Sequence, residues 1–255
     1  MRALKLAAIA LVSAGLAIAL PALAQDEEPL ARQQWSWVGP FGTYNLAAAQ
    51  RGFQVYSEVC ANCHSMTQLH YRDLTGIGLS PEQVKAIAAA VTVPLGVDDQ
   101  GNPKQGPATP ASQFRSPFPN PEAARAALNG ALPPDLSVII NAREGGPDYV
   151  FGILTGFVQP PAGFKLQSGL YYNKTFPGHQ IAMPQPLHDG QVTFADGSGN
   201  SISDEAHDVV TFLAWAANPD LVERKQMGWR VVLFLVIMTG LTYAVKRKIW
   251  SDVEH

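Results

Sequence analysis

The sequence predicts a mostly α-helical domain with long loops, exported and then held by one C-terminal transmembrane helix. Three observations predict this. An apolar leader opens the chain, a longer apolar run closes it, and the strongest patterns between them are helix caps followed by helical spacing of apolar residues. The 255 residues are 47% hydrophobic and 15% charged, which suits a globular domain with some membrane-inserted sequence and excludes a disordered or fibrous chain.

The leader has a positive start at Arg2 and Lys5, an apolar run from Leu6 to Leu20, and the small-x-small pattern Ala22-Leu23-Ala24. Cleavage is expected before Gln25, ahead of the acidic Asp26-Glu27-Glu28. At the other end, Gly228 to Val245 would span ~27 Å as a helix, close to a hydrocarbon core of ~30 Å. Trp229, Tyr243 and Trp250 lie near its edges, Arg230 can snorkel, and Lys246-Arg247-Lys248 follows it. The apolar residues run all round this helix, which marks a lipid-facing span and not the stripe of a core helix. The basic cluster places the short tail in the cytoplasm. The expected organisation is therefore a cleaved signal over 1–24, a periplasmic domain over 25–220, an anchor helix over 221–250 and a cytoplasmic tail over 251–255.

Between Gln25 and Met227 there are 19 Asp/Glu and 12 Lys/Arg, a net charge of −7. Such a domain attracts cationic partners and repels nucleic acid. A merely solvated surface accounts for the same charge.

Thr43 can cap a helix from about Tyr44 towards Cys60. Ser80-Pro81-Glu82-Gln83 combines a cap, a first-turn proline and a capping-box glutamine, and opens a helix to about Val91. Asn120-Pro121-Glu122 opens another, stopped near Gly130. Pro134 to Arg143 and Pro147 to Leu154 read as two short helices separated by Gly145-Gly146. Ser203 or Asp204 caps a helix to about Ala217, broken before Pro219. A last helix from about Leu221 runs into the membrane. Thr92 to Pro119 and Pro160 to His188 read as long loops, which in compact domains usually bind something. Gln191 to Phe194 and Ser201-Ile202, around Asp196-Gly197, leave room for a small hairpin.

The chemistry sits at Cys60-Ala61-Asn62-Cys63-His64, which holds the chain's two cysteines. Cys-x-x-Cys-His fits c-type haem attachment. Two thiols on one turn can form thioethers with the two haem vinyl groups, and the next residue then lies beneath the iron. A disulfide or redox-active dithiol shares the Cys-x-x-Cys spacing, and half a zinc site is a third reading. The following histidine, the preceding helix and the export signal favour one covalently bound haem c.

The sixth ligand decides between electron transfer and gas or peroxide chemistry. Of the five methionines, Met1 is in the leader, Met227 and Met238 belong to the membrane region, and Met66 is too near Cys63 to reach the opposite haem face. Met183 remains, in a loop stiffened by Pro184. His179 and His188 flank it and are its rivals, while His70 and His207 read as surface or structural residues. Arg143 could pair with a haem propionate, with Tyr149 beside it.

The chain resembles cytochrome c1, the haem subunit of the cytochrome bc1 complex. The resemblance covers nearly all of the exported chain: Arg51-Gly52-Phe53-Gln54-Val55-Tyr56 leading into the cysteine motif, Pro117-Phe118-Pro119-Asn120, Asn129 to Ser137, Ala142-Arg143, Asp148-Tyr149-Val150-Phe151, Phe176-Pro177-Gly178, Met183-Pro184 and Phe212 to Ala217. It implies a cytochrome c-like haem domain with His64 and Met183 as axial ligands and Arg143 at a propionate. It also implies an electron carrier within a quinol–cytochrome c oxidoreductase, respiratory or photosynthetic. Electrons would come from a Rieske iron–sulfur protein and leave to a soluble basic cytochrome c. The implied neighbours are cytochrome b and membrane lipid, in a dimeric multisubunit complex on a bacterial inner membrane. A tethered cytochrome of a terminal oxidase, a haem sensor and a thiol–disulfide module are the competing functions.

Overall fold

A computed structural model describes residues 30–252. The expected leader and its cleavage point lie outside the described residues. Among the described residues there are six α-helices: α1 (Leu46–Glu58), α2 (Pro81–Ala89), α3 (Pro121–Ala127), α4 (Gly146–Thr155), α5 (Ile202–Ala217) and α6 (Leu221–Ile249).

Two of the caps sit where expected. The Ser80–Gln83 capping box opens α2, and Asn120 Oδ1 accepts from the Ala123 amide to open α3. Two caps differ. Asn45, not Thr43, caps α1: the helix starts at Leu46, and Asn45 Oδ1 accepts from the Ala48 amide at 3.2 Å. Ser201, not Ser203 or Asp204, caps α5, with Asp204 as its reciprocal partner.

The core forms where α1 crosses α5. A Cβ added at Gly52 would meet the Asp208 carbonyl oxygen at 2.0 Å, so only glycine permits this approach. Beside it, Arg51 Nε and Nη2 grip both oxygens of the buried Asp208 carboxylate at 2.6 and 3.0 Å. The rings of Phe53, Tyr56 and Trp215 pack around Phe212, which is fully buried.

The segment from Pro134 to Arg143 is not a helix but a series of turns. The amides of Leu136 and Ser137 are engaged elsewhere, by the Ser65 carbonyl and the Asp135 carboxylate. The Thr92–Pro119 loop contains an antiparallel hairpin of β1 (Thr92–Val97) and β2 (Pro103–Pro107), pairing Thr92 with Pro107 and Val97 with Pro103. Its turn is built by Asp98, whose side chain accepts from the amides of Gln100 and Asn102. A second pair, β3 (Tyr171–Tyr172) and β4 (Gln180–Ile181), lies within the other long loop. The hairpin expected around residues 191–202 does not form strands. Its Val192 amide donates instead to Glu205 Oε1 at 2.9 Å.

Glu205 is completely buried, and its Oε2 has no hydrogen-bond partner among the described residues. Burial pushes its carboxyl above the usual range, helped by Asp189, Glu58 and Asp204. A raised folded-state pKa means that the folded chain holds this proton more tightly than the unfolded one. Stability is therefore lost as pH rises from the ordinary glutamate pKa through the raised one. Glu205→Gln keeps the acceptor for Val192 and removes the charge. It is expected to stabilise the protein by about 1–2 kcal/mol at neutral pH, with no gain below the ordinary glutamate range. Thermal unfolding of both chains across pH measures this.

α5 and α6 meet at a short elbow, Asn218-Pro219-Asp220. Asn218 and Asn141 exchange side-chain amide hydrogen bonds at 3.0 and 3.2 Å, and the Tyr44 hydroxyl donates to the Ala214 carbonyl. Beyond the elbow α6 runs for 29 residues with none buried. Val231 through Ile237 are each at least 46% exposed. Leaving such side chains in water forfeits roughly 1.5–3 kcal/mol apiece relative to burial. α6 fits a single-pass membrane anchor, as expected.

Candidate haem-attachment site

α1 ends at Glu58 and the chain tightens into one 3-10 turn over Cys60–Asn62. The amides of Cys63 and His64 both donate to the Cys60 carbonyl, at 3.1 and 2.8 Å, so both thiols and the imidazole share one turn. Asn62 Nδ2 donates to the carbonyls of Glu58 and Val59 at the end of α1. The thiols are not joined to each other. Burial pushes the Cys60 thiol up to about 12. That shift takes Cys60 away from the thiolate form on which thiol reactivity depends. Among the described residues there is also no group of three or more His, Cys, Asp or Glu that could hold a metal by themselves, so the half-zinc reading finds no second half.

His64 Nδ1 lies 2.8 Å from the Pro134 carbonyl oxygen. A carbonyl only accepts, so Nδ1 carries the proton and the Nε2 lone pair is free. Burial also pulls the imidazole pKa down, which favours the neutral ring. Pro134 is held in place by its neighbours. Asp135 Oδ2 accepts from Ser65 Oγ, the Thr67 amide and Thr67 Oγ1 at 2.8, 2.8 and 3.0 Å, and Ser137 Oγ accepts from the Gln68 amide. Burial works to raise the Asp135 carboxyl, but the donors from Ser137, Thr67 and Ser65 outweigh it and hold the group below the usual range. Sequence reasoning assigned no role to Pro134 or Asp135. The Asp-x-Ser spacing, with Asp135 Oδ1 accepting from the Ser137 amide at 2.9 Å, is a local signal that could have found them.

Met183 is half-buried, two residues beyond β4. Its loop is fastened to the end of α4. The fully buried Asn173 donates to the Ile153 carbonyl at 2.8 Å, Thr175 Oγ1 donates to Gly152, and the Lys174 amide donates to Gly156. Tyr149 stands on the first half of α4 and Arg143 three residues before it, exposed and donating to the Ala142 carbonyl. The loop of Met183 and the segment of Arg143 and Tyr149 are thus joined through α4. Met66 is fully buried in the core. His179 is stacked on Tyr172, His207 on Trp35, and His70 faces Asp73. His188 is exposed. A separate cleft of about 490 Å³ borders the attachment turn through Ala61 and Asn62 but is lined by none of the expected site residues.

Two thiols on one turn and a neutral imidazole with Nε2 free form a donor set that fits a covalently bound haem c. A model of the cytochrome C1 family matches residues 35–253. The chain belongs to the cytochrome c1 family. It is 43% identical over 265 residues to cytochrome c1 of Rhodospirillum rubrum, covering 96% of this chain and 97% of that one. It is 44% identical over 221 residues to the mitochondrial cytochrome c1 heme protein of Saccharomyces cerevisiae, covering 86% and 72%. A cytochrome b/c1 of Bradyrhizobium diazoefficiens is 44% identical over 274 residues, covering 96% of this chain and 39% of that longer protein. Cytochrome c1 is the haem-bearing electron-transfer subunit of the bc1 complex, so this chain is a haem protein of electron transport.

Proposed function

We propose that this cytochrome c1 passes single electrons from a Rieske iron–sulfur protein to a soluble basic cytochrome c on the periplasmic side of a bacterial inner membrane. The observation that carries the reading is the attachment turn with His64 held by Pro134 at 2.8 Å. That hydrogen bond fixes the ring orientation of His64 and leaves Nε2 as the nitrogen that would ligate an iron. Cys60 and Cys63 would hold the haem covalently, His64 and Met183 would ligate its iron, and Arg143 with Tyr149 would serve a propionate. When bound, the haem supplies a reversible one-electron couple. With His64 and Met183 both bound to it, the iron would change its charge with little rearrangement of the protein around it.

The net charge of −7 between Gln25 and Met227 supports a cationic acceptor. The name of the Bradyrhizobium relative supports cytochrome b as a neighbour. Lipid surrounds α6, and the assembly is read as a dimeric complex. Quinol-driven haem reduction in isolated membranes, with and without the Rieske subunit, tests this. Fast reduction that vanishes without that subunit is expected. Reduction that survives its loss would move the chain to another electron-transfer pathway.

A further inference from the structure

Residues 36–43, Ser36-Trp37-Val38-Gly39-Pro40-Phe41-Gly42-Thr43, form a closed loop without a charged residue, in an acidic domain. Its base is locked. The Thr43 amide donates to Ser36 O, Trp37 stacks on Trp35, and Trp35, Trp37 and Tyr44 are all buried. Its shape is also fixed. Gly39 has φ +83°, and a Cβ on Gly42 would meet Val38 O at 2.3 Å. Yet its tip is the reverse of buried, with Val38 65% and Phe41 78% exposed.

The tip has a definite direction. Lys225 Nζ, on the first turns of α6, donates to the carbonyls of Trp37 and Gly42 at the loop's base. Phe41 at the tip packs edge-on to Trp229, with ring centroids 6.2 Å apart. Lys225 and Trp229 are four residues apart, about 6 Å along the helix. The loop therefore runs beside α6 towards its apolar stretch, which begins at Val231. Arg224, Lys225 and Arg230 flank this level, with Asp220 and Glu223 higher on the helix.

We infer that the 36–43 loop is a second membrane contact, which sets its Val38–Phe41 tip into the headgroup–acyl boundary of the bilayer beside Trp229. The inference rests on α6 being a membrane anchor. An exposed aromatic next to an interfacial tryptophan, with cations at the level of lipid phosphates, is the composition that interface favours. Two contacts, a span and a loop, fix the tilt of the domain where a span alone would not.

The test places a photoreactive p-benzoylphenylalanine at Phe41 in the full haem-loaded chain. The chain is irradiated in phosphatidylglycerol–phosphatidylethanolamine liposomes and in native membranes, and the adducts are read by mass. The same residue at Leu235 reports the span, and at Val97 an exposed site on the β1–β2 hairpin. Lipid adducts at Phe41 and Leu235 but not at Val97 are expected. Lipid at Leu235 without lipid at Phe41 overturns the loop contact and leaves the anchor standing. No lipid at either position removes the anchor and the inference together. Adducts at Phe41 to protein alone in native membranes, or equal labelling of Val97, also overturn it. Val38 takes the label if the Phe41 variant does not fold.

Discussion

Met183→Leu is expected to lower the midpoint potential of this cytochrome c1 by on the order of 0.1 V or more. It is also expected to let carbon monoxide bind the reduced protein. A thioether sulfur favours the ferrous state and closes the sixth position, whereas a leucine side chain has no lone pair to offer. Met183 is the candidate because the other methionines among the described residues are committed elsewhere. Met66 is fully buried, and Met227 and Met238 lie on α6. Redox titration and a carbon monoxide difference spectrum measure the two effects. Met66→Leu serves as the comparison, since it exchanges one buried apolar side chain for another and should leave the potential alone. An unchanged potential and spectrum in Met183→Leu would return the assignment to His179 or His188.

The second large effect is structural. Gly52→Ala is expected to destabilise the domain by about 3 kcal/mol, at the upper end of overpacking costs. In a domain of this size that is a fall of roughly 6–12 °C in the thermal midpoint. The new methyl group would sit 2.0 Å from the Asp208 carbonyl oxygen and 2.9 Å from Phe212 Cβ. The first of these is backbone and cannot rotate away, so α1 and α5 must move apart. The Arg51–Asp208 pair next to it loosens with them. Because α1 runs directly into the Cys60–Asn62 turn, the shift reaches the attachment cysteines as well. Thermal unfolding of the haem-loaded chain in detergent checks the prediction. An unaltered midpoint would mean that the helices have slack at this crossing.

Sequence reading succeeded where a side chain answers to its immediate neighbours. Ser80 and Asn120 cap their helices because the donors they satisfy lie within three residues. The Cys60–His64 motif is equally local. Reading failed where a distant backbone competes for the same group. Thr43 is a good cap by composition, but it belongs to a loop closed onto Ser36, the helix starts only at Leu46, and Asn45 is the residue placed to cap it. The Pro134–Arg143 segment has helical spacing, but the chain there is tied to the distant Ser65 carbonyl through the Leu136 amide and forms turns. The β1–β2 hairpin was invisible for another reason. Pro94, Gly96, Pro103 and Gly106 interrupt its strands, and its residues are largely exposed, so no alternating pattern survives. At the candidate site, the Cys60–His64 motif is read from spacing alone, whereas the carbonyl beside His64 Nδ1 comes from 70 residues away.

The elbow between α5 and α6 adds a consequence for encounter statistics. The Asn141–Asn218 amide pair, the Tyr44 hydroxyl and Lys225 bind the start of the membrane helix to the domain by several hydrogen bonds at once. A domain joined through a flexible linker samples a large volume, and its effective concentration at any one partner is diluted accordingly. A domain joined through this elbow samples little. Its placement relative to the membrane helix is set once, at folding, so the probability of meeting a redox partner in a productive orientation becomes a property of the elbow as much as of the haem site.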